Sequence, residues 1–404
     1  MALTATPEDV GLCCERLGHI KPWMQRYLTA EKLPGMLTLV ARHGEVVFLE
    51  ACGERDIEAG QPVEEDTIFR IYSMTKPITS VAVMMLYEEG LFQLDDAVSR
   101  YIPAFADMRV YISGEGDAMR TEPARQTITI HHLLTHTSGL AYGFINGSPV
   151  STLYNENNTD FHPNDGPLAD VVQRLCQLPL VFHPGERWGY GVSTDVLGHL
   201  VEQVSGQPFD QFMRQRILEP LGMFDTDFQV PSDKVERFAA MYMPKKEGGL
   251  KLLEAPGTSA FASDVTTFSG GGGLMSTVGD YFRFTEMLRR KGELDGVRLL
   301  GRKTVEYMTC NHLPGDLADM GQPTFNETSF EGIGFGLGFA VMLDPAKAQV
   351  IGSPGEYHWG GAASTVFWVD PLEDMTVIFL TQLFPSSTYP LRRELRALTY
   401  QALL

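Results

Sequence analysis

The sequence predicts an α+β fold in which segments from both ends of the chain form one antiparallel β-sheet flanked by helices, with a mainly helical inserted domain. Two observations support this prediction. Pairs of β-rich runs separated by strong turns occur near each end, and the middle of the chain carries mainly helix and loop signals. We therefore expect residues 1–75 and 280–404 to form a sheet domain and residues 76–279 a mainly helical domain, with a functional cleft at their junction.

The first predicted hairpin lies close to the N-terminus. Residues 36–41 and 46–49 are apolar and β-rich, and they flank a turn at His43 and Gly44. This pattern is typical of two neighbouring antiparallel strands, so the sheet is expected to begin here.

The second predicted hairpin lies near the other end of the chain. Residues 363–369 and 375–380 are apolar, β-branched runs, and residues 370–374 between them form a strong turn signal. After Pro390, residues 391–404 contain good helix formers and neither glycine nor proline, which predicts a closing helix.

The middle of the chain contains segments with helical spacing that are followed by glycine stops. These segments are residues 74–89, 195–204 and 280–291, with Gly90, Gly206 and Gly292 after them. Residues 146–167 are instead rich in Asn, Gly, Pro and Asp, and this composition predicts a long surface loop that covers a site.

Charge and composition exclude several classes of function. The chain has 404 residues, and 32 Lys plus Arg against 51 Asp plus Glu give a net charge of −19. Such an excess of acid disfavours binding to nucleic acid and to anionic membrane surfaces. No run of 18 apolar residues is present that would predict a spanning helix, and the acidic and basic residues of positions 1–29 leave no room for an export signal. We expect a cytoplasmic protein.

The five cysteines are odd in number and show no C-x-x-C spacing. A disulfide framework or a cysteine-rich zinc site is therefore not expected, and the thiols are expected to be free.

The strongest chemical signal is the S-x-x-K tetrad from Ser73 to Lys76 at the start of the apolar helix. Residues three apart share a helix face, so the lysine amine can reach the serine hydroxyl. Burial among apolar residues disfavours the charged form of a lysine and favours its use as a base. Taken alone, the tetrad favours a capping serine followed by an exposed lysine, because helix caps are far commoner than catalytic serines.

Two further segments carry candidate site residues. In residues 183–198 a turn leads through Trp188 to Tyr190, whose phenol could relay protons beside Lys76 or could simply be a core residue. In residues 357–362, glycines just before the late hairpin permit close backbone approach, so an edge N–H could face a substrate oxyanion; a structural bulge is the alternative.

Taken together, the order of these segments resembles the serine β-lactamase-like hydrolase superfamily, which comprises class C β-lactamases, DD-peptidases and family VIII carboxylesterases. Besides the tetrad, the resemblance includes residues 132–140, 184–198 and 272–277, and it spans most of the chain. It implies a β-lactamase/DD-peptidase-like fold. It also implies that Ser73 is the nucleophile, Lys76 its activating partner and Tyr190 the second proton-transfer group.

Departures from the β-lactamase pattern indicate which relatives are closest. Tyr190 is followed by Gly191 and Val192 where those enzymes have Tyr-x-Asn, so the amide that would bind an amide substrate is absent. The segment Trp359, Gly360, Gly361 stands where they have Lys-Thr-Gly, which removes the lysine that helps to hold a β-lactam carboxylate. Both changes favour uncharged esters, and Trp-Gly-Gly resembles the family VIII version.

The remaining predicted site residues follow from this resemblance. The backbone N–H groups of Ser73 and Ala362 are the candidate oxyanion hole. Trp188 and Trp359 are expected to form an apolar wall for acyl or alcohol groups, with Val192, Gly360 and Gly361 beside the substrate. His358 either replaces part of the missing positive charge or has a structural role.

Other apparent motifs are weaker indications of function. His131, His132 and His136 lack the glutamate and third ligand of a zinc site, so they are expected to cap and pack a helix. The glycines 270–273 lack a following Gly-Lys-Ser/Thr and are expected to permit close packing near the site rather than to bind phosphate. The lipase elbow G-x-S-x-G is absent.

The sequence thus predicts a serine carboxylesterase that hydrolyses short-chain esters through an acyl-enzyme, with weak β-lactam hydrolysis as an accessory activity. No metal or organic cofactor is expected, and the expected partner is a small-molecule ester. The alternatives are a β-lactamase or D-amino-acid peptidase, an acyltransferase of the same superfamily, and a non-catalytic binding protein. The sequence does not indicate whether the protein is a monomer or an oligomer.

Overall fold

A computed structural model describes residues 2–145, 148–325 and 328–404 of the chain. In chain order, its helices are α1 (Cys14–Leu17), α2 (Ile20–Thr29), α3 (Thr75–Glu88), α4 (Ile130–Leu134), α5 (Pro149–Glu156), α6 (Leu168–Leu175), α7 (Ser193–Ser205), α8 (Phe209–Met213), α9 (Val278–Arg289), α10 (Arg302–Met308), α11 (Pro345–Ala348) and α12 (Leu391–Tyr400). Within the described residues, none of these helices has both the length and the apolar character needed to cross a membrane.

The strands fall into one large sheet and several short pairs. They are β1 (Gly35–Arg42), β2 (Glu45–Asp56), β3 (Gln61–Pro62), β4 (Phe69–Arg70), β5 (Arg109–Ser113), β6 (Arg120–Pro123), β7 (Met241–Pro244), β8 (Leu250–Glu254), β9 (Met275–Ser276), β10 (Glu293–Leu294), β11 (Val297–Arg298), β12 (Thr324–Phe325), β13 (Thr328–Ser329), β14 (Ile333–Phe335), β15 (Ala340–Met342), β16 (Tyr357–Gly360), β17 (Val366–Asp370) and β18 (Met375–Thr381).

The large sheet joins strands from both ends of the chain. Its order is β14-β15-β16-β17-β18-β1-β2-β3, and neighbouring strands are antiparallel throughout the described part. Both predicted hairpins are present as β1-β2 and β17-β18, and β1 pairs directly with β18. The predicted fold class is therefore confirmed. The division of the chain at residues 75 and 280 stays a prediction.

The two faces of this sheet bury two separate cores, because side chains alternate along each strand. On β1, Met36 and Val40 face a core that also contains Trp23 of α2 and Leu395 of α12. Leu37 and the other alternate residues of β1 face the larger core, which contains α3, α7 and α9. The sheet thus lies between a layer of terminal helices and the helical region that carries the site.

Helix α3 lies inside the protein, and this explains its apolar composition. Every residue from Thr75 to Leu86 is buried, including Lys76. A helix that is apolar on all sides is typical of such a central position. Its N-terminus lies close to the end of β16, so the central helix and the sheet meet where Ser73 is found.

The expected long loop at residues 146–167 is wrong in part. Residues 149–156 form α5, in which Val150 and Tyr154 are fully buried one helical turn apart, and Ser148 caps the helix by accepting the Ser151 N–H. Tertiary burial of these two side chains stabilises a helix that the polar composition conceals. Asn146 and Gly147, at the start of the expected loop, lie outside the described residues.

Candidate active site

Ser73 lines a cavity of about 820 Å³ and lies in the short 3₁₀ turn that precedes α3. The residue before it, Tyr72, has a φ of 42°, a left-handed conformation that costs a non-glycine residue energy. Tyr72 also lines the cavity. This turn therefore brings Ser73 to the cavity, while residues 75–86 of the following helix are buried.

The structure brings together the three residues that the sequence predicts to be catalytic. The Tyr190 hydroxyl lies 2.6 Å from Ser73 Oγ, and Lys76 Nζ lies 3.3 Å from the same oxygen. Both distances allow hydrogen bonds. A proton on the serine hydroxyl thus has two candidate acceptors within direct reach.

Lys76 is only 1% exposed and has two further partners that the sequence did not indicate. Its amine donates to the Tyr142 hydroxyl and to the Gly271 carbonyl, each at 2.8 Å. Burial, followed by the nearby negative charge of Asp195, raises the pKa of Tyr142 well above its usual value. Tyr142 therefore stays a neutral phenol beside the lysine. It follows the 132–140 segment by two positions, but no spacing rule marks it.

An aromatic cluster holds the Tyr190 ring in place. The ring stacks on Trp188 with centroids 6.0 Å apart and an interplanar angle of 10°. His136 lies 5.2 Å away between ring centroids, and the indole N–H of Trp359 approaches the phenol oxygen at 3.4 Å. Stacked and tilted contacts of this kind each add stability beyond simple burial. The phenol is thereby held at a fixed orientation toward Ser73.

Two predicted substrate contacts need correction. Trp188 is 2% exposed and lies outside the cavity lining, because it packs behind Tyr190 in the aromatic cluster. Val192 is fully buried at the N-terminus of α7, where its side chain joins the core. Of the two tryptophans expected to form the apolar wall, only Trp359 lines the cavity.

The predicted backbone edge lies against the turn that carries Ser73. Gly361 packs so closely on Ile71 that a Cβ at this position would collide with the Ile71 carbonyl oxygen. Gly360, Gly361 and Ala362 all line the cavity, and the Ala362 carbonyl accepts the Ser386 N–H at 2.8 Å. The absence of a side chain at Gly361 is what allows the strand end to approach the serine.

His358 also lines the cavity, and its Nδ1 lies 3.4 Å from Glu356 Oε1. Burial lowers the pKa of His358, although Glu356 acts in the opposite direction, so the ring is neutral near pH 7. It does not supply the positive charge of the missing lysine. Three arginines of α12, Arg392, Arg393 and Arg396, also line the cavity, and Arg396 is paired with the buried Glu356 at 2.5 Å.

The other cavity walls are mainly apolar. Phe144 is 60% exposed at one side and stacks on Tyr142, with ring centroids 4.6 Å apart. The remaining large apolar lining residues are Ile145, Phe161, Phe261, Phe330, Ile333, Met342, Val350, Val366 and Phe384. A concave, apolar site with a few convergent polar groups is typical of small-molecule binding.

The weaker motifs have structural roles. His132 is part of a capping box at the start of α4, where its ring nitrogen accepts the Thr129 N–H and its own N–H bonds the Thr129 hydroxyl. His131 packs against His312, with their ring nitrogens 3.3 Å apart. The glycine run does lie close to the site, since Gly271 binds Lys76 directly.

A comparison of the sequence with models of protein families identifies this arrangement. The beta-lactamase family model matches residues 20–401, nearly the whole chain. The chain belongs to the beta-lactamase family. The predicted resemblance to the β-lactamase-like superfamily is thereby confirmed.

Individual beta-lactamase-family relatives include hydrolases and acyl-transferring enzymes. Esterase EstB from Burkholderia gladioli is 33% identical over 418 aligned positions, which cover 98% of this chain and 97% of EstB. Among solved structures, EstCE1, described as a hydrolase with promiscuous acyltransferase activity, has a TM-score of 0.81 and 27% identity and covers 96% of this chain and 99% of its own. Simvastatin synthase (LovD) from Aspergillus terreus, as its LovD6 mutant, has a TM-score of 0.80 and 26% identity and covers 97% and 98%.

Proposed function

We propose that the protein is a serine carboxylesterase that hydrolyses short-chain carboxylic esters through an acyl-enzyme on Ser73. The observation that supports this most directly is the convergence of Lys76 Nζ and the Tyr190 hydroxyl on one oxygen, Ser73 Oγ, in the lining of a mainly apolar cavity. A nucleophile in hydrogen-bond contact with its base is the expected arrangement for covalent catalysis. The full-length similarity to esterase EstB supports the same reaction.

In the acylation step, Ser73 Oγ attacks the ester carbonyl carbon while its proton moves to the Lys76–Tyr190 pair. The C–O bond to the alcohol then breaks, and the alcohol oxygen takes up that proton as it leaves. The Tyr190 hydroxyl is the nearer of the two groups to Ser73 Oγ and can act on the leaving oxygen. In deacylation, a water molecule replaces the alcohol and the same proton transfers run in the reverse direction.

The developing oxyanion needs donors at fixed positions. The N–H groups of Ser73 and Ala362 are the proposed pair, because the close packing of Gly361 on Ile71 brings the end of the strand up to the serine turn. The Ala362 N–H shares its peptide with the Gly361 carbonyl, which accepts a hydrogen bond from Arg392 Nη2 at 3.3 Å, and this contact helps to orient the peptide. Removing one such donor costs ~10²–10³ in kcat in enzymes of this general type.

Uncharged esters fit this site better than β-lactams for two reasons. Val192 offers no amide and points into the core, and His358 is neutral near pH 7. Nitrocefin should therefore be hydrolysed far more slowly than p-nitrophenyl butyrate. A ratio of kcat/KM values near one would favour the β-lactamase or D-amino-acid peptidase alternative.

Acyl transfer to an alcohol is the second candidate function. The apolar cavity could hold an organic acceptor beside the acyl-serine, and EstCE1 is described as a hydrolase with promiscuous acyltransferase activity. Incubation with p-nitrophenyl butyrate and a series of acceptor alcohols, followed by mass spectrometry of the products, distinguishes hydrolysis from acyl transfer. Butyrate alone supports hydrolysis, whereas new butyrate esters support transfer.

The test of the proposed nucleophile is intact-protein mass spectrometry after brief incubation with a fluorophosphonate and, separately, with p-nitrophenyl butyrate. An adduct mapped to Ser73, lost in Ser73→Ala, together with turnover of butyrate, is the expected result. No adduct and no turnover would favour a non-catalytic binding protein on this fold.

A further inference from the structure

Lys76 is surrounded by acceptors in a way that suits its charged form. Its amine contacts Ser73 Oγ, the Tyr142 hydroxyl and the Gly271 carbonyl, and an ammonium group carries three N–H donors for these three oxygens. Its Nζ also lies 4.6 Å from the centroid of the Tyr190 ring, close enough for a cation–π interaction. A buried cation of this kind requires a negative partner to offset its desolvation.

Asp195, in the first turn of α7, is the carboxylate that acts on this lysine. It is 1% exposed, and its Oδ1 accepts the Ser269 hydroxyl at 2.5 Å and the Gly271 N–H at 2.9 Å. Burial raises the pKa of Asp195, and this is opposed by the charge of Lys76 and by those two hydrogen bonds. The sequence segment containing Asp195 was part of the family resemblance, but this residue was not singled out.

One glycine joins the carboxylate to the lysine. The Gly271 N–H donates a hydrogen bond to Asp195, and the Gly271 carbonyl accepts one from Lys76. The carboxylate and the amine are therefore linked through the backbone of one residue. A Cβ at Gly271 would collide with Asp195 Oδ2. The glycine is therefore required for the carboxylate to approach, and linked hydrogen bonds of this type polarise one another.

We propose that Asp195 is a positioning residue whose negative charge, acting through Gly271, sets the pH at which the Lys76–Tyr190 pair loses the proton needed to activate Ser73. This inference rests on the proposed function. The pair must lose one proton to become a base, whichever of the two groups carries it, because their protons are coupled. A fixed negative charge nearby holds that proton more tightly, so the wild-type enzyme reaches its active form at higher pH than a neutral residue at position 195 would allow.

Three other titratable groups lie around Lys76. Tyr142 touches the amine directly, and Asp160, which lines the cavity, accepts the N–H of the neighbouring Gly143 at 2.6 Å. His136 packs on Tyr190, and full burial together with the charge of Lys76 keeps its pKa well below the usual value. The Asp195 variants leave these residues in place. Burial, the larger cause of the raised pKa of Tyr142, is also unchanged, so Tyr142 stays neutral and a shift in the pH profile reports the loss of the Asp195 charge.

The experiment compares the pH dependence of kcat/KM for p-nitrophenyl butyrate in the wild type, Asp195→Asn and the control Asp210→Asn. Asparagine keeps the shape and the acceptor for the Gly271 N–H but removes the charge. We expect the acidic limb of the profile to move to lower pH by about one unit in Asp195→Asn. Asp210 is a half-buried carboxylate of α8 outside the cavity lining, so its variant should keep the wild-type limb.

The outcomes distinguish this inference from the proposed function. If wild-type Ser73 forms an acyl-enzyme but the limb of Asp195→Asn stays in place, the tuning role is wrong and the esterase assignment stands. If wild-type Ser73 is never acylated, the proposed function is wrong and the inference falls with it. Asp195→Ser is the second neutral variant. Failure of both to fold, judged by circular dichroism, would assign Asp195 a purely structural role and overturn the proposal.

Discussion

The indole of Trp188 and the phenol ring of Tyr190 lie nearly parallel, two residues apart in sequence, with their centroids separated by 6.0 Å. Trp188 is buried and does not line the cavity, so its contribution to the site acts through Tyr190. A core side chain therefore helps to fix the orientation of the proposed proton-transfer group.

The stacking relationship predicts the effect of Trp188→Ala. Truncation should lower kcat for p-nitrophenyl butyrate at least tenfold, because Tyr190 loses the surface that orients it, and should cost about 3–5 kcal/mol of unfolding free energy. Trp188→Phe should restore most of both. The control is Trp23→Ala, in the core on the opposite face of the sheet, which should lower stability and leave kcat nearly unchanged. Equal losses of kcat in the two Ala variants would contradict an orienting role.

Tyr142→Phe should impair catalysis without unfolding the protein. The substitution removes the hydroxyl that accepts a Lys76 N–H at 2.8 Å, and hydrogen bonds to charged groups contribute about 1.5–3 kcal/mol. A fall in kcat/KM of roughly tenfold to a hundredfold is expected from steady-state kinetics. Tyr154→Phe, which removes an equally buried hydroxyl bonded to the Pro179 carbonyl, should retain full activity. If Tyr142→Phe is as active as Tyr154→Phe, the contact has no role in catalysis.

Acyl-chain length should affect KM before it affects kcat. The cavity of about 820 Å³ is far larger than a short acyl chain requires and has apolar walls. Each added CH₂ that becomes buried contributes about 0.8 kcal/mol, so KM should fall roughly fourfold per carbon from the acetate to the hexanoate ester, until the chain fills the apolar region. A KM that rises steadily with chain length would show that the acyl group does not enter this space.

Stability should depend on the protonation of Glu356 at acidic pH. This buried carboxylate bonds Arg396 Nη1 at 2.5 Å and the Tyr400 hydroxyl at 2.7 Å. Burial acts to raise its pKa, but Arg396 and His358 outweigh burial and hold the pKa at about 2, below the usual 4.5. A depressed folded-state pKa stabilises the fold above the unfolded value, and the stabilisation is lost as the pH falls from 4.5 towards 2.

Urea unfolding between pH 7 and pH 2.5 measures this dependence. The urea concentration at the wild-type unfolding midpoint should decrease as the pH falls below 4.5. The difference between the usual pKa of 4.5 and a pKa of about 2 corresponds to a loss of at most about 3 kcal/mol in the free energy of unfolding. Glu356→Gln removes the titrating group, so its midpoint should change less steeply over that range. Parallel curves for the two proteins would assign the acid sensitivity to other carboxylates.

The sequence predicted the parts of the fold whose local residue pattern is typical of the element that forms there. Both hairpins were found because β-branched runs flank strong turns, and α3 was found because it is long and apolar throughout. The short helix α5 was missed because Val150 and Tyr154 are its only large apolar anchors in a polar segment. Tertiary burial, rather than local propensity, decides such a helix.

The candidate site was predictable only where its residues lie in distinctive local motifs. Ser73 and Lys76 stand three apart, and Tyr190 lies in a glycine-rich turn, so their pattern is visible in one dimension. Tyr142 and Asp195 reach Lys76 only through the packing of separate segments, and no spacing reveals this. Trp188 was expected in the cavity wall, but it faces the core because its ring stacks behind Tyr190.

The pairing of β1 with β18 has a consequence for how the protein is made. Met36 of β1 pairs with Thr381 of β18 in the sheet. The β1-β2 hairpin is therefore synthesised early, but β1 can pair with β18 only after almost all of the remaining chain has been translated. Pairings so distant in sequence are slow to form. The nascent chain thus carries Ser73 long before the segment containing Ala362 exists, and enzymatic competence should emerge only after translation has passed the last strand.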